Sequence, residues 1–203
     1  MSLFPEKKSI SKAEINQFTI QAFEGDILCC STPDAAEEAA QELLKENLLG
    51  FDTETRPTFR KGEHYPPALL QLAGENCVVL FQIQQCTLTP SLIEILSRAD
   101  ILKTGVALGR DIYELKQVTP FQAAGFIELA DLAKEAGIKN LGLRALAALF
   151  FEFRISKKEQ VSNWAKLELS DSQKQYAATD AWLGRKLYKA FKEKGLIDPS
   201  ALS

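Results

Sequence analysis

A short apolar strand carries carboxylates on one face, and this feature constrains the fold more than any other. Residues 51–55 read FDTET, and the two-residue repeat of a strand turns Asp52 and Glu54 toward the same side. Asp111 falls within the apolar stripe of a predicted helix. The other members of that stripe are Leu108, Leu115 and Val118. An ionised carboxylate is costly to bury alone, so the fold has to bring these acids to a cation or a metal ion.

A second predicted helix repeats the pattern near the C-terminal end. Asp180 shares an apolar stripe with Tyr176, which precedes it by one helical turn. Few cations are available to pair with these inward acids. Arg110 lies beside Asp111 in the sequence, and Arg185 is predicted on the outer side of its helix. A single inward aspartate is more often a cap or an ion-paired residue, but the same anomaly in three elements favours a metal site. Ligand sets made only of oxygen suit Mg²⁺ or Mn²⁺.

Composition and charge limit the classes of function. The chain has 203 residues, 46% hydrophobic and 25% charged, which is typical of a soluble protein with one sizeable core. A net charge of −3 and a pI near 5.4 argue against a broad basic face for nucleic acid. Bound metal ions can still make an acidic pocket a phosphate receptor. The sequence shows neither a membrane-spanning run nor a signal peptide, so a cytoplasmic location without membrane contact is expected.

The cysteines indicate neither a zinc site nor a disulfide framework. They lack CxxC spacing and a neighbouring histidine, and are interpreted as buried, reduced thiols. The four residues are Cys29, Cys30, Cys77 and Cys86.

The order of strand-like and helix-like segments predicts a single α/β domain, a mixed sheet flanked by helices. Thr-Pro pairs at 32–33 and 89–90 mark two helix starts, and a hairpin is expected around 74–76. The predicted strands are 27–30, 50–54, 68–72, 78–82 and 101–105. The predicted helices are 34–49, 91–98, 108–118, 129–136, 141–151 and 171 to about 194, the last opened by a capping box at 170–173.

Three motifs together resemble the DEDD superfamily of 3′-to-5′ exonucleases, which have a ribonuclease-H-like fold. In family order, they are residues 51–55 (FDTET), 103–111 (KTGVALGRD) and 176–180 (YAATD). The third motif has tyrosine at position 176, where the other subclass of this superfamily has histidine. In this respect the chain resembles the Tyr subclass (DEDDy). Residues 162–164 and 169–176 look more like the Werner-type exonuclease domain than ribonuclease D. After Glu54 the chain departs from the Werner-type pattern, since residues 55–57 replace an aromatic-containing segment.

The resemblance covers residues 27–191 and implies one catalytic domain. The expected organisation is an N-terminal extension over 1–22, the exonuclease domain over 23–195 and a C-terminal tail over 196–203.

The implied activity is metal-dependent hydrolysis of phosphodiester bonds of DNA or RNA from the 3′ end, releasing nucleoside monophosphates. Two divalent ions, Mg²⁺ or Mn²⁺, roughly 4 Å apart activate a water and stabilise the leaving oxygen. Asp52 is expected to bridge both ions. Glu54 and Asp180 are expected to hold the ion that carries the water, and Asp111 to support the second ion through waters. Tyr176 is expected to orient that water or help remove its proton. The implied partner is a nucleic acid with a free 3′ end, single-stranded or recessed.

Two residues are candidates for substrate contacts. Thr53 offers its backbone to the terminal 3′ hydroxyl, as the resemblance implies, or is an ordinary strand residue facing the other way. Trp164 stacks on a base or strand backbone, or is a packing anchor.

A basic run of three residues either steers a single strand toward the site or is simply solvated surface. The run consists of Arg154, Lys157 and Lys158. His64, in a proline-rich loop, is expected to be exposed and outside the catalytic set.

Two other functions stay open from the sequence. A catalytically silent domain that binds nucleic acid or protein predicts the loss of a motif carboxylate or of the tyrosine, yet all five positions are present. An internal cutter with the same metal chemistry predicts no requirement for a free end.

Overall fold

A mixed six-stranded sheet forms the centre of the molecule. The computed structural model describes residues 7–60 and 62–197. The strands are β1 (Asp26–Cys30), β2 (Leu48–Thr55), β3 (Pro67–Ala73), β4 (Cys77–Phe81), β5 (Leu102–Gly105) and β6 (Phe126–Glu128). They lie in the order β1-β4-β3-β2-β5-β6. The β2–β3 and β3–β4 pairs are antiparallel and the other neighbouring pairs are parallel.

Helices cover both faces of the sheet, as predicted. They are α1 (Lys12–Gln17), α2 (Pro33–Leu43), α3 (Ile83–Cys86), α4 (Pro90–Ser97), α5 (Leu108–Val118), α6 (Leu129–Glu135), α7 (Leu143–Phe151) and α8 (Asp171–Glu193). Helix α8 lies across one face, against β1 to β5. Helices α2, α4 and α5 cover the other face, where their apolar side chains share one core with Phe51 and Leu72. Within the described ranges, no helix has the length and apolar character needed to cross a bilayer.

The predicted helix starts and the hairpin are confirmed. The side chain of Thr32 accepts a hydrogen bond from the backbone of Ala35 at the start of α2. Ser170 and Gln173 form both bonds of a capping box at the start of α8. Strands β3 and β4 pair around the expected turn, where the backbone N–H of Gly74 donates to the carbonyl of Cys77.

The prediction of a helix through residue 49 is wrong. Helix α2 ends at Leu43, and Leu48 already belongs to β2, where it pairs with Leu102 of β5. Strand pairing in the core therefore outweighs the helical pattern at the end of this segment. The short elements α1, α3 and β6 are not predicted, although the capping box of Ser11 and Glu14 at α1 is readable from the sequence.

Two glycines allow α8 to approach the sheet closely. A Cβ at Gly50 of β2 would lie 1.9 Å from the carbonyl oxygen of Ala181. A Cβ at Gly184 would lie 2.6 Å from the carbonyl oxygen of Thr104 in β5. No side chain fits at these distances, so Gly50 sets how near α8 lies to β2, and Gly184 sets how near it lies to β5.

Arg185 is buried, which contradicts its predicted place on the outer side of α8. It is 7% exposed, and its Nε donates to the carbonyl oxygen of Leu48 at 3.1 Å. Its guanidinium also pairs with Glu75 in the β3–β4 turn. Leu48 begins β2, at the opposite end of the strand from Glu54. Arg185 therefore secures α8 to the sheet and does not compensate the inward carboxylates.

The segment before β1 packs against the rest of the domain. The backbone N–H of Lys139 donates to the carbonyl of Lys8 at 2.8 Å. Further along, the N–H of Arg154 donates to Thr19, and the carbonyl of Arg154 accepts from Gln21. These bonds hold residues 7–22 of the predicted extension beside α7 and the loop that precedes α8.

At the other end of the chain, Ile197 is 6% exposed and belongs to the core, although it falls in the predicted tail. Residues 198–203 of that tail lie outside the described residues.

The four cysteines are free, as predicted, but the prediction that all of them are buried is wrong for two. Cys30 and Cys86 are buried, whereas Cys29 and Cys77 are partly exposed. Burial raises the pKa of the Cys30 thiol to about 11, so it stays protonated and unreactive at neutral pH.

Candidate active site

Three carboxylates meet near the C-terminal end of β2. Asp52 and Glu54 reach toward the α8 side of the sheet, and Asp180 of α8 approaches them. One oxygen of each lies within 4.8 Å of the others. Asp180 is 8% exposed, and its Oδ1 has no hydrogen-bond partner among the described residues. A buried orphan oxygen within a ligand set made only of oxygen fits Mg²⁺ or Mn²⁺.

The fourth predicted carboxylate joins this group through a threonine. Asp111 lies in the first turn of α5, and its Oδ1 accepts a hydrogen bond from the Oγ1 of Thr53 at 2.7 Å. The backbone N–H of Thr53 donates to the Oδ1 of Asp52 at 2.9 Å. Thr53 thus connects two of the acids. The predicted apolar stripe of α5 is shorter than expected, because Asp111 is only half-buried and Val118 is 38% exposed.

Burial raises the pKa of each of the four carboxyl groups, and repulsion from the other acids of the site adds to the rise at Asp52 and Glu54. Burial raises the pKa of Glu54 to about 10 and that of Asp111 to about 6. Burial also raises the pKa of Asp180 to about 7, an effect that the nearby Tyr176 hydroxyl and the charge of Lys157 oppose. The pKa of Asp52 lies well above its ordinary value, first through burial and then through the neighbouring acids. A divalent cation would relieve this repulsion, so the set fits a metal ion.

Tyr176 lies one turn before Asp180 on α8, as predicted. Burial, followed by the charge of Asp180, raises the pKa of its phenol, which stays protonated at neutral pH. Trp164 packs against it, with ring centroids 5.8 Å apart. Because Trp164 is 1% exposed, it has no free face for a base. The structure therefore supports the packing interpretation of Trp164 and not the stacking one.

The carboxylates open into a cavity of about 730 Å³. Its lining includes Asp52, Glu54, Tyr176 and Asp180 on one part. The rest comes from α1, from the end of β5, from the start of α7 and from the loop before α8. This cavity is large enough and open enough to admit part of a polymer to the acidic group.

Sequence reasoning missed several polar residues of this cavity. They are Lys12, Arg144 and Gln160. Neither Lys12 nor Arg144 belongs to a motif or a charge run, so no sequence signal pointed to them.

The basic run divides between three roles. Lys157 lines the carboxylate cavity, whereas Lys158 lines a smaller adjoining one that also includes Tyr176 and Asp180. Arg154 instead holds the N-terminal segment, since its Nε donates to the carbonyl of Phe18 at 2.9 Å. His64 is exposed, as predicted.

Comparison with known proteins gives a family for this arrangement. A family model described as 3′-5′ exonuclease matches residues 28–195. The mouse bifunctional 3′-5′ exonuclease/ATP-dependent helicase WRN is 29% identical over 160 residues, which cover 76% of this chain and 11% of that protein. A 3′-5′ exonuclease of Arabidopsis thaliana is 28% identical over 200 residues, which cover 91% of this chain and 69% of that protein. The chain therefore spans only a small part of the mouse relative.

Solved structures show the same fold. The EXO domain of Aedes aegypti Nibbler superposes with a TM-score of 0.78 at 24% identity, covering 91% of this chain and 96% of that one. RNase D of Escherichia coli superposes with a TM-score of 0.73 at 22% identity, covering 89% of this chain and 48% of that one. These likenesses confirm the expected ribonuclease-H-like fold.

Proposed function

The chain belongs to the 3′-5′ exonuclease family, and on this premise we propose that it removes nucleoside monophosphates from the 3′ end of a nucleic acid by two-metal-ion hydrolysis. One observation carries the proposal. Oxygens of Asp52, Glu54 and Asp180 lie within 4.8 Å of one another, and Asp111 is joined to them through Thr53. No observation favours the catalytically silent alternative, because Asp52, Glu54, Asp180 and Tyr176 line one cavity and Asp111 is bonded to the neighbouring Thr53.

The carboxylates differ in position, and we assign their roles accordingly. Asp52, central to the group, would contact both ions. Glu54 and Asp180 would hold the ion next to the attacking water, while Asp111 would support the second ion through waters. When bound, the ions supply an activated water and stabilise the leaving 3′ oxygen.

Tyr176 would orient the attacking water. Its phenol carries a raised pKa, caused mainly by burial, and therefore keeps its proton at neutral pH. A protonated phenol both donates and accepts a hydrogen bond but is a poor base. Of the two roles expected from the sequence, orientation is thus favoured over removal of the proton.

Thr53 would stand beside the terminal 3′ hydroxyl. Its side chain holds Asp111, and the residue lines the cavity next to Asp52. Both functions are compatible, because the side chain and the backbone of a strand residue point in different directions.

A cleavage assay tests this proposal. Single-stranded DNA, single-stranded RNA and recessed duplexes, each labelled at the 5′ end, are incubated with Mg²⁺ or Mn²⁺. We expect a ladder that shortens from the 3′ end, abolished with EDTA and in Asp52→Ala. The substrate that shortens fastest defines the preference for DNA or RNA.

A circular single strand provides the control for end dependence. An exonuclease leaves it intact, so cleavage of the circle would indicate an internal cutter instead. No cleavage of any substrate with either metal would overturn the proposed activity.

A further inference from the structure

Three cations line the carboxylate cavity, each from a different segment of the chain. They are Lys12 of α1, Arg144 of α7 and Lys157 of the loop before α8. Within residues 7–60 and 62–197, no salt bridge involves any of them. We call these three residues the cationic wall. The charge of Lys157 acts on Asp180, where it opposes the rise in pKa that burial causes. None of the three cations is in direct contact with a carboxylate among the described residues, so an anion that enters the cavity can still reach them.

Arg144 is held in place without being neutralised. Its Nη2 donates to the Oδ1 of Asn16 at 2.7 Å, and Asn16 carries no charge. Its Nε is buried and has no partner among the described residues. A guanidinium that is fixed by a neutral side chain keeps its full charge, which suits it to a phosphate oxygen.

The wall depends on a segment that lies outside the family match. Lys12 and Asn16 belong to α1, whereas the match begins at residue 28. Helix α1 is fixed by its own capping box and by the bond from Asn16 to Arg144. The N-terminal segment thus contributes one cation directly and positions another.

The chemistry of the wall fits a chain of phosphodiesters. Several separated cations along one cavity match the repeating charge of a nucleic-acid backbone, and such contacts position a strand without reading its sequence. The lining also includes the first residues of α7. The N-cap of this helix is Gly142, which has no side chain and so offers no side-chain acceptor to the backbone N–H groups of the first turn.

We propose that Lys12, Arg144 and Lys157 bind backbone phosphates of the single strand that leads to the 3′ end at the carboxylates. This inference rests on the proposed function. The alternative is that the same cations only offset the acidic group when no metal is bound.

Binding measured without cleavage separates these two interpretations. The measurement uses the Asp180→Asn variant, which is expected to be inactive. Its affinity for a twelve-nucleotide oligothymidine, labelled with fluorescein at the 5′ end, is measured by fluorescence anisotropy over a range of salt concentrations. Changing each wall residue to glutamine should weaken binding roughly three- to ten-fold. The slope of log affinity against log salt should become shallower by about 0.7 for each phosphate that the variant no longer binds.

Lys192→Gln is the matched control. Lys192 is exposed and lines a separate cavity at the other end of α8, which shares no residue with the carboxylate cavity, so its replacement should leave affinity and salt slope nearly unchanged. Equal reductions of affinity in Lys157→Gln and Lys192→Gln, or an unchanged slope in the triple glutamine variant, would overturn the inference. If those results accompany a wild-type protein that still degrades strands from the 3′ end, the wall is rejected while the proposed function stands.

Gln71 presents a second, independent anomaly beside the carboxylates. It is fully buried, yet neither its Oε1 nor its Nε2 has a hydrogen-bond partner among the described residues. It lies on β3 directly opposite Asp52 of β2. Its neighbours on the same face, Leu69 and Ala73, pack against α8. Opposite residues on one face have Cβ atoms about 4.5–5.5 Å apart, so the amide lies within reach of Asp52.

We infer that Gln71 is a positioning residue for Asp52. A buried amide without partners is unfavourable, which requires a compensating interaction in the working protein. The Oδ1 of Asp52 already accepts a hydrogen bond from the N–H of Thr53. The side-chain N–H of Gln71 would hold the same carboxylate from the neighbouring strand, in the orientation that ion binding needs. This inference also rests on the proposed function.

Gln71→Met tests this role, because methionine has a similar length without polar hydrogen. Mn²⁺ affinity measured by calorimetry should fall roughly ten-fold. The melting temperature in EDTA should not fall, since the variant removes an unpaired buried amide. Gln41→Met, an exposed position on α2, controls for the change of side chain.

A purely structural Gln71 predicts the reverse, with a lower melting temperature in EDTA and unchanged Mn²⁺ affinity. Unchanged affinity would overturn the inference whatever the activity of the variant. Should Gln71→Met fail to fold, the wild-type protein gives the answer by NMR. The side-chain amide resonance of Gln71 should shift when Mg²⁺ is added, and the absence of a shift would exclude the interaction.

Discussion

Replacing Asp180 with asparagine should stabilise the metal-free protein while removing its response to metal ions. Asp180 is 8% exposed, has an orphan oxygen, and has its pKa raised, mainly by burial, from 3.8 to about 7. A rise of this size disfavours the charged form by on the order of 4 kcal/mol at neutral to alkaline pH. Asparagine has nearly the same shape and no charge. Allowing for relaxation of the site, we expect a gain of about 2 kcal/mol, or about 4–8 °C for a chain of this length.

The gain should depend on pH in a defined direction. Because the folded-state pKa of Asp180 lies above the unfolded value, the wild-type residue favours folding below pH 3.8, and this contribution is lost as the pH rises through about 7. The difference between variant and wild type in EDTA should be small near pH 4, grow toward pH 7 and level off above about 8. Glu54, with a pKa raised mainly by burial to about 10, acts in the same direction in both proteins.

Urea unfolding followed by circular dichroism, in EDTA from pH 4 to 9, measures this difference. Repeating it with saturating Mn²⁺ should stabilise the wild type by about 3 kcal/mol at a hundred times the dissociation constant, and the variant much less. An Asp180→Asn protein that is less stable than the wild type in EDTA at pH 8 would refute the reasoning. So would a stability difference that is independent of pH, or a full response to Mn²⁺ in the variant.

Three further substitutions test other parts of the site. Tyr176→Phe should lower kcat roughly ten- to hundred-fold and leave Mn²⁺ affinity unchanged by calorimetry, because the ring packing is kept; an unchanged kcat would remove the hydroxyl from the mechanism. Gly50→Ala should destabilise the protein by more than about 3 kcal/mol in urea unfolding, since its Cβ would lie 1.9 Å from the carbonyl oxygen of Ala181. Gly109→Ala is its control, because a Cβ there has open space, and should be neutral or stabilising by up to about 1 kcal/mol. Thr53→Val should weaken metal affinity roughly ten-fold by removing the bond to the α5 carboxylate, and an unchanged affinity would show that this bond does not position it.

Periodicity predicted the parts of the fold and site that lie along single elements. The strand period places Asp52 and Glu54 on one side, and the helical period places Tyr176 and Asp180 on one stripe. These local rules hold because neighbouring residues on an element have fixed geometry. The three-motif resemblance then gave the convergence of separate elements, which no periodicity can supply.

Distances between elements were beyond such reasoning. The closeness of α8 to β2 and β5 depends on Gly50 and Gly184. The need for glycine at these positions can be recognised only once the positions of the neighbouring carbonyl groups are known. Arg185 was misplaced for a related reason. It lies outside the apolar stripe of α8, but the β3–β4 turn brings Glu75 to its guanidinium. This ion pair allows Arg185 to be buried. Tertiary contacts of this kind override a pattern confined to one helix.

Net charge was informative about the whole surface but not about the cavity. A charge of −3 disfavours a broad basic face, yet charges act mainly within a Debye length of about 8–10 Å at physiological salt. Within that distance, a few nearby cations influence the binding of a phosphate more than the net charge of the whole chain does. If Lys12, Arg144 and Lys157 are the main phosphate contacts, single-strand affinity should change with salt by a slope near −2, since each phosphate bound contributes about −0.7. A protein that binds nucleic acid through a broad basic face shows a much steeper slope. Because the cations of this acidic chain are confined to the cationic wall, we expect it to bind the end of a strand and to bind duplex only weakly.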